Sequence, residues 1–307
     1  MVVGFLFAGQ GAQYIGMGQD LYESFPESKK IFDKADEVLG MPLSRLCFQG
    51  PQEELTKTNN CQPAILTMSI AAWEAFSSVH GTRYTVQNYA AGLSLGEYSA
   101  LVAAKAMSFE DAVSVVRKRG QFMEEEAQKF PGKMASVLGL GLELVRNICQ
   151  KTNTEIANIN SPGQIVISGE AKAINEAVKV ARGSGAKKVI LLEVSGAFHS
   201  SLMKGASLKL AKELEKLKIN QPQITLISNI NAQPVESSSE IKNNLIQQVA
   251  SAVLWEDSMR YMLSRKTENF FEIGPGKVLK GLMRRIDENA QVTNIEKKED
   301  LLNCLKL

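Results

Sequence analysis

The sequence predicts an α/β protein: a mostly parallel sheet covered by helices, with a smaller subdomain inserted into it. Short apolar runs, among them Val2–Ala8 and Asn269–Ile273, alternate with longer amphipathic runs. This alternation is typical of a parallel sheet covered by helices. Between residues 130 and 195 the order changes to β-α-β-β-α-β, which is the ferredoxin-like order. We therefore expect a large subdomain formed by residues 1–129 and 196–307, and a small inserted subdomain formed by residues 130–195.

The composition limits the classes of function. A chain of 307 residues is long enough for one large domain or two ordinary ones. Its hydrophobic share of 44% and charged share of 22% are those of a soluble globular protein. The net charge of +2 gives no general attraction to nucleic acid or to a membrane surface. We expect neither partner, and we expect a monomer.

The cysteines argue against a metal site and a disulfide framework. Cys47, Cys61, Cys149 and Cys304 are scattered and form no C-x-x-C pair, as in proteins of a reducing compartment. Residues 1–8 carry no basic leader and are too short for the apolar region of a signal peptide. We expect a cytoplasmic protein, or the mature form of an organellar one in the stroma or matrix, with no metal or redox cofactor.

The first predicted strand, Val2–Ala8, ends in a glycine-rich loop that begins Gly9-Gln10-Gly11. The loop matches neither the G-x-G-x-x-G dinucleotide pattern nor a Walker sequence. Its backbone can approach a ligand closely, but an ordinary strand-to-helix connection would use the same glycines. An amphipathic helix, Pro26–Leu39, and a helix that is apolar on most sides, Ile65–Val79, follow.

The stretch Tyr89–Ala104 predicts a buried strand, a sharp turn and a helix. Ser94 lies at the turn between Gly92 and Gly96, in the pattern G-x-S-x-G. Small flanking residues let the strand and the helix pass close together, and the turn leaves the serine hydroxyl exposed at a helix start. This is the nucleophile turn of α/β-hydrolase-like folds, although an idle serine in a glycine-bounded turn would give the same pattern.

The next helix begins with the capping-box pattern Ser108–Asp111 and places Arg119 on its apolar face. A buried guanidinium needs an anion. That anion could be a ligand; alternatively, Arg119 could extend to the edge of the face or pair with a carboxylate of the protein.

The inserted subdomain is predicted from six elements in a row. They are the strand Lys133–Leu138, the helix Leu142–Gln150, the strands Glu155–Ile159 and Gln164–Ser168, the helix Ala171–Arg182 and the strand Lys187–Val194. The large subdomain then resumes with the helix Leu202–Leu217, the strand Ile224–Ile230, helices within Ile241–Ser264 and the strand Asn269–Ile273.

A serine nucleophile needs a base, and the chain has only two histidines, His80 and His199. We favour His199, because it follows the serine as the histidine does in α/β-hydrolases, whereas His80 ends a helix. No acid is evident between Ser94 and His199: Asp111 belongs to the capping box, and the glutamates there mostly look like helix surface. A backbone carbonyl or an amide is a possible orienting group for the histidine.

Six motifs together resemble the malonyl-CoA:acyl carrier protein transacylase family, in its order and spacing and over essentially the whole chain. They are Phe7–Gln13, Gly92–Tyr98, Arg119–Met123, Asn160–Gln164, Gly196–Ser200 and Phe271–Gly276.

The resemblance implies a role for each matching residue. Ser94 would carry the acyl group, and His199 would be its general base, oriented by the backbone carbonyl of Gln248. Arg119 would bind the free carboxylate of the malonyl group. The backbone N–H groups of Gln10 and Leu95 would form the oxyanion hole. Asn160 would lie close to the substrate, and Phe198, the residue before the base, would favour malonyl over branched acyl groups.

The resemblance also implies the reaction. Malonyl would pass from coenzyme A through a Ser94 ester to the phosphopantetheine thiol of an acyl carrier protein, without a cofactor, to supply fatty-acid synthesis. One departure is visible: many members have histidine before the nucleophile, where this chain has Leu93. Two other functions compete, a serine hydrolase or thioesterase with the same turn and a catalytically silent docking module.

Overall fold

The computed structural model describes residues 2–81 and 88–304. Its strands form two sheets, one large and one small. In chain order the described strands are β1 (Val3–Phe7), β2 (Tyr89–Gly92), β3 (Gly132–Leu138), β4 (Glu155–Ser161), β5 (Gln164–Glu170), β6 (Lys188–Leu191), β7 (Thr225–Ile227), β8 (Pro234–Val235), β9 (Asn269–Ile273) and β10 (Gln291–Ile295).

Helices surround both sheets, and a short 3-10 helix (Ser201–Met203) precedes α10. In chain order the described α-helices are α1 (Gln19–Ser24), α2 (Pro26–Leu39), α3 (Leu43–Gln49), α4 (Gln52–Thr56), α5 (Thr58–His80), α6 (Gly96–Ala103), α7 (Phe109–Lys129), α8 (Leu142–Thr152), α9 (Ala171–Gly183), α10 (Lys204–Glu215), α11 (Ser238–Gln248), α12 (Trp255–Ser264), α13 (Val278–Ile286) and α14 (Lys298–Cys304).

The large sheet has the strand order β10-β9-β1-β2-β7-β8, and its strands are parallel except for the antiparallel β8. In this register Phe7 lies opposite both Gly92 and Ile273. The loops that follow β1, β2 and β9 therefore leave the sheet at one edge. In open parallel sheets this carboxyl edge is where ligands bind.

The small sheet has the order β4-β5-β3-β6 and is antiparallel throughout, as a ferredoxin-like unit requires. Residues of α8 and α9 share its own apolar cluster, which includes Val145, Ile167 and Ile174. Its edge strand β4 is tied to the large subdomain, because the N–H of Ile159 donates to Val253 O and the N–H of Val253 donates to Ala157 O. The predicted fold class is confirmed; the division at residues 130 and 195 stays a prediction.

Some predicted boundaries were wrong. The strand predicted over Ile224–Ile230 ends at Ile227, because the N–H of Ser228 donates to Gln233 O and the chain turns back into β8. The helices predicted within Ile241–Ser264 are present as α11 and α12, although α11 begins three residues earlier than predicted, at Ser238. The prediction had no counterpart for the edge strand β10, which continues the sheet beyond β9.

The helix α5 is buried along most of its length and packs against β1. The Phe5 ring meets Trp73 edge-on, with ring centroids 5.0 Å apart. A helix that is apolar on most sides is expected in such a position. No helix in the described ranges is both long enough and apolar enough to cross a membrane.

We predict that Gly92→Ala strongly destabilises the fold. A Cβ at this position would lie 1.9 Å from the carbonyl carbon of Gly96, and backbone cannot yield as a flexible side chain can. Overpacking of this kind costs roughly 1–3 kcal/mol or more. Urea unfolding of Gly92→Ala should show the loss, whereas Gly141→Ala, whose Cβ would meet nothing within 4 Å, should match the wild type. Equal midpoints for all three proteins would contradict the close approach.

Candidate active site

Ser94 occupies the tight turn between β2 and α6, with a φ of 52°. This left-handed conformation is costly for serine and is kept only where surrounding contacts enforce it. A Cβ on Gly96 would lie 2.2 Å from Phe7 O, and one on Gly9 would lie 2.4 Å from Leu93 O. The glycines thus let the turn press against the first strand and its loop, and Ser94 is held at the carboxyl edge of the sheet.

Asn229 holds the serine turn in place through hydrogen bonds from the end of β7, which is the neighbour of β2 in the sheet. Its Oδ1 accepts from the N–H of Ser94 at 2.6 Å, and its Nδ2 donates to Gly92 O at 2.8 Å. Asn229 follows β7, which pairs with β2. Asn229 was not predicted as a site residue, because the predicted strand included it. A polar side chain at the end of a parallel strand was the signal that could have identified it.

His199 lies against the serine. Its Nε2 is 2.8 Å from Ser94 Oγ, and its Nδ1 is 2.8 Å from the backbone oxygen of Gln248. A carbonyl oxygen can only accept, so the proton is on Nδ1 and Nε2 is free to accept the serine proton. Within the described residues no carboxylate contacts the ring. His80 instead packs on Phe76 at the end of α5 and makes no hydrogen bond with Ser94.

The environment keeps His199 neutral. Its side chain is buried, and burial together with the nearby Arg119 charge lowers its pKa to about 4, against the opposing pull of the Gln248 carbonyl. A neutral imidazole at physiological pH is the form that can take a proton from a hydroxyl.

Arg119 is 1% exposed, so its side chain does not extend to solvent. Its guanidinium donates to Gln62 Oε1 at 2.8 Å and, through the other terminal nitrogen, to Gln248 Oε1 and Ser94 Oγ, both at 3.1 Å. All three partners are neutral. In residues 2–81 and 88–304 no carboxylate oxygen lies within 4.0 Å of it, and its Nε has no acceptor. Burial lowers its pKa, but an arginine stays charged in a protein.

An unpaired buried cation is costly, so this arrangement favours an anionic ligand beside Ser94. Because Arg119 Nη2 is 3.1 Å from Ser94 Oγ, an anionic group bound to the guanidinium would lie next to the serine hydroxyl. Gln62 lies in α5 and accepts a hydrogen bond from Arg119. It was not predicted, because no motif marks its position in this buried helix.

Glu97 is an exception to the expectation that the glutamates between Ser94 and His199 mostly lie on helix surfaces, because it is 2% exposed. Its Oε2 accepts from Gln248 Nε2 at 2.7 Å and from the N–H of Asn229 at 3.2 Å. Burial raises its pKa to about 7, against these hydrogen bonds and the Arg119 charge. A lone glutamate in the otherwise apolar run of α6 was the signal.

The remaining predicted residues are placed as follows. The backbone N–H groups of Gln10 and Leu95 lie in the loops after β1 and β2, and neither has a hydrogen-bond acceptor among the described residues. Asn160 is buried in β4, and its Oδ1 also has no hydrogen-bond partner among the described residues. It makes no hydrogen bond with the Ser94 cluster. Phe198 is 4% exposed and belongs to the main apolar core beside His199.

No group of three or more His, Cys, Asp or Glu side chains within the described ranges could hold a metal ion. The Ser94 cluster itself offers a serine hydroxyl, a neutral imidazole and a buried guanidinium.

A known protein family matches nearly the whole chain. The model of the acyl transferase domain family matches residues 4–297. The chain belongs to the acyl transferase domain family. As a member of that family it is an acyltransferase, which confirms the class of enzyme that the six motifs implied.

Relatives of this acyltransferase cover nearly all of it. It is 46% identical over 304 residues to a malonyl CoA-acyl carrier protein transacylase from Bacillus subtilis, covering 97% of this chain and 95% of that protein. A solved structure with the same description, from Clostridium perfringens, is 40% identical, with a TM-score of 0.94 and coverage of 100% and 96%. Another, described as a type II PKS acyl-carrier protein in complex with its malonyl-transacylase, is 35% identical, with a TM-score of 0.96 and coverage of 100% and 99%.

We predict that His199 makes the acyltransferase less stable in acid. Because its pKa is about 4 in the folded chain and about 6.5 when unfolded, the unfolded chain gains the proton first as the pH falls. The free energy of unfolding therefore keeps its full value above about pH 6.5 and falls as the pH is lowered toward 4. At pH 5 the loss is roughly 1–2 kcal/mol.

Urea unfolding at pH 7 and pH 5 checks this. Glu97, whose pKa is raised, works in the opposite sense between about pH 4.5 and pH 7, so the His199 effect must be measured by difference. The wild type should lose more stability than His199→Gln between the two pH values. An equal loss in both proteins would contradict a buried neutral imidazole.

Proposed function

We propose that this acyltransferase moves a malonyl group from malonyl-CoA to the phosphopantetheine thiol of an acyl carrier protein, as an ester on Ser94, and so supplies extender units for fatty-acid synthesis. The observation that carries this proposal is the buried Arg119, which contacts Ser94 Oγ and has no carboxylate partner among the described residues. A malonyl ester on that oxygen would bring a carboxylate to this guanidinium. The names of the relatives from Bacillus subtilis and Clostridium perfringens agree with it.

In the first half-reaction Ser94 Oγ attacks the thioester carbonyl carbon, and its proton passes to His199 Nε2. The resulting oxyanion is stabilised by the N–H groups of Gln10 and Leu95, for which the described part of the chain holds no acceptor. When the C–S bond breaks, His199 returns the proton to the coenzyme A sulfur. The thiol of the carrier protein then reverses these steps on the malonyl ester, so that two bulky carriers use one site in turn.

Gln248 would serve this cycle in two ways. Its backbone oxygen fixes the His199 tautomer, in place of the acid of a triad, and its side chain supports Arg119. Asn160 and Phe198 are assigned to the wall of the acyl pocket. The buried Oδ1 of Asn160 has no hydrogen-bond partner among the residues that the structure describes. Phe198 fills space beside the base, which favours malonyl over branched acyl groups.

The acyl carrier protein is the proposed acceptor, in keeping with the relative in complex with such a protein. Exposed basic side chains of α13, Lys280, Arg284 and Arg285, suit an acidic partner, and α13 starts just after the loop of Gly274 and Gly276 at the carboxyl edge. The described cysteines are all free, which suits the cytoplasm or an organellar stroma or matrix.

Intact-mass analysis after brief incubation with malonyl-CoA tests the covalent step. The wild type should gain one malonyl group and Ser94→Ala none, because the ester forms on Ser94 Oγ. Addition of a phosphopantetheinylated carrier protein should then move the group to the carrier. Release of free malonate instead would identify a thioesterase, and an unmodified wild type with every malonyl donor would indicate a silent docking module.

Arg119→Ala should lower the preference for malonyl-CoA over acetyl-CoA by roughly 10- to 100-fold, because a hydrogen bond to a charged group contributes about 1.5–3 kcal/mol. The two acylation rates of Ser94 give the preference. Arg117→Ala is the matched control: Arg117 lies on the same helix but contacts Asn59 O and Asn60 Oδ1 instead. An unchanged preference in Arg119→Ala would contradict the assignment of the carboxylate site.

Charge reversal on α13, as Lys280→Glu with Arg284→Glu, should weaken transfer to the carrier protein several-fold, because like charges oppose the encounter. Transfer to free pantetheine, an uncharged acceptor, should stay near the wild-type rate. Equal rates to the carrier in variant and wild type would exclude α13 as its docking surface.

A further inference from the structure

Glu97 lies behind the acyl-transfer site, buried and without an assigned part in the reaction. It contacts neither Ser94 Oγ nor His199, so it cannot act as the acid of a triad. Its Oε2 instead receives two hydrogen bonds, one from the side chain of Gln248 and one from the backbone of Asn229. These two residues hold different parts of the site.

Through Gln248, Glu97 acts on Arg119. An amide has a donor end and an acceptor end, and only one orientation of Gln248 places Oε1 against the guanidinium. In that orientation Nε2 faces acceptors: Glu97 Oε2 at 2.7 Å, Ser94 O at 3.1 Å and Asn229 Oδ1 at 3.4 Å. The contact with Glu97 is the shortest of the three. The reverse orientation would set two donors, the amide nitrogen and the guanidinium, against each other.

Through Asn229, Glu97 acts on the nucleophile. The Asn229 side chain bonds both the N–H of Ser94 and the carbonyl of Gly92, on either side of the strained turn. The same residue is anchored by its own backbone N–H to Glu97. One buried side chain therefore connects the serine turn with the support of Arg119.

We propose that Glu97 is a positioning residue that sets the Gln248 amide and the Asn229 segment, and thereby holds Arg119 and Ser94 in register for a carboxylated acyl group. This inference rests on the proposed malonyl transfer. The requirement is for a hydrogen-bond acceptor at the Oε2 position, since both contacts there come from donors. A glutamine at position 97 can supply that acceptor, whereas a methionine has the same reach without it.

The test compares single-turnover acylation of Ser94 by malonyl-CoA and by acetyl-CoA, followed by intact mass, in the wild type, Glu97→Gln and Glu97→Met. Glu97→Met should slow malonylation roughly 10- to 100-fold, since misplacement by about 1 Å can cost that much. The malonyl/acetyl ratio should also fall, roughly fivefold or more. Glu97→Gln should stay within about threefold of the wild type in both.

Glu272→Met is the matched control. Glu272 is also fully buried, and its oxygens accept from the backbone N–H groups of Leu279 and Lys280 and from Asn294 Nδ2. Loss of that carboxylate should lower thermal stability without changing the malonyl/acetyl ratio. Should Glu97→Met not fold, Glu97→Gln is compared with Glu97→Ala.

A double-mutant cycle with Gln248→Ala identifies the route of the effect. When Gln248 is already truncated, Glu97→Met should lower the malonyl/acetyl ratio much less than it does in the wild type. Full additivity, an unchanged ratio in Glu97→Met, or a Glu97→Gln variant as impaired as Glu97→Met would each overturn the inference. A wild type that forms no malonyl adduct would overturn the proposed function itself, and this inference with it.

Discussion

The arrangement of this site depends on a buried positive charge that contacts no carboxylate in the described ranges 2–81 and 88–304. Arg119 comes from the apolar face of α7, and its terminal nitrogens meet two amide oxygens and the serine hydroxyl. Neutral acceptors satisfy part of its hydrogen-bonding capacity but do not cancel its charge. The cost of burying this charge falls beside Ser94, where the proposed carboxylated acyl group would offset it. In this account, affinity for substrate and choice of substrate have the same origin.

The parallel sheet makes such a cluster possible. The aligned ends of β1, β2 and β9 bring the loops that follow them to one edge, and Asn229 extends the set from β7. His199 and Gln248 belong to the part of the chain that follows the inserted subdomain. Ser94 and His199 both have positive φ, at 52° and 58°. Backbone strain of this kind persists only where neighbours enforce it, and the hydrogen bonds to Asn229 are part of that enforcement.

Much of this could be read from the sequence because the relevant signals are local. The β-α-β-β-α-β order and the turn at Ser94 depend on short-range periodicity and glycine spacing, and the amphipathic pattern of α7 placed Arg119 on a buried face. The pairing of Ser94 with His199 was helped by the scarcity of histidines. The six motifs supplied the remaining assignments by resemblance.

The supporting residues could not be found in the same way. Gln62, Asn229 and the buried Glu97 act through contacts between residues far apart in the chain, and no local pattern marks which polar side chain will meet which. Asn229 was placed inside a strand that was predicted to run too far. The strand ends at Ile227 because the chain turns back there to pair with β8, which is not visible in the local sequence. Glu97 was judged from its charge alone, whereas its burial follows from the packing of α6 against β1 and β2.

The most direct test of this account is a crystal structure of the enzyme with malonyl on Ser94. In that structure the carboxylate should accept from both terminal nitrogens of Arg119, and the carbonyl oxygen of the ester should lie near the N–H groups of Gln10 and Leu95. His199 Nε2 should face the space that an incoming thiol would enter. A carboxylate turned toward solvent, with the guanidinium still bound to Gln62 and Gln248 alone, would contradict the claim that the substrate is the missing anion of Arg119.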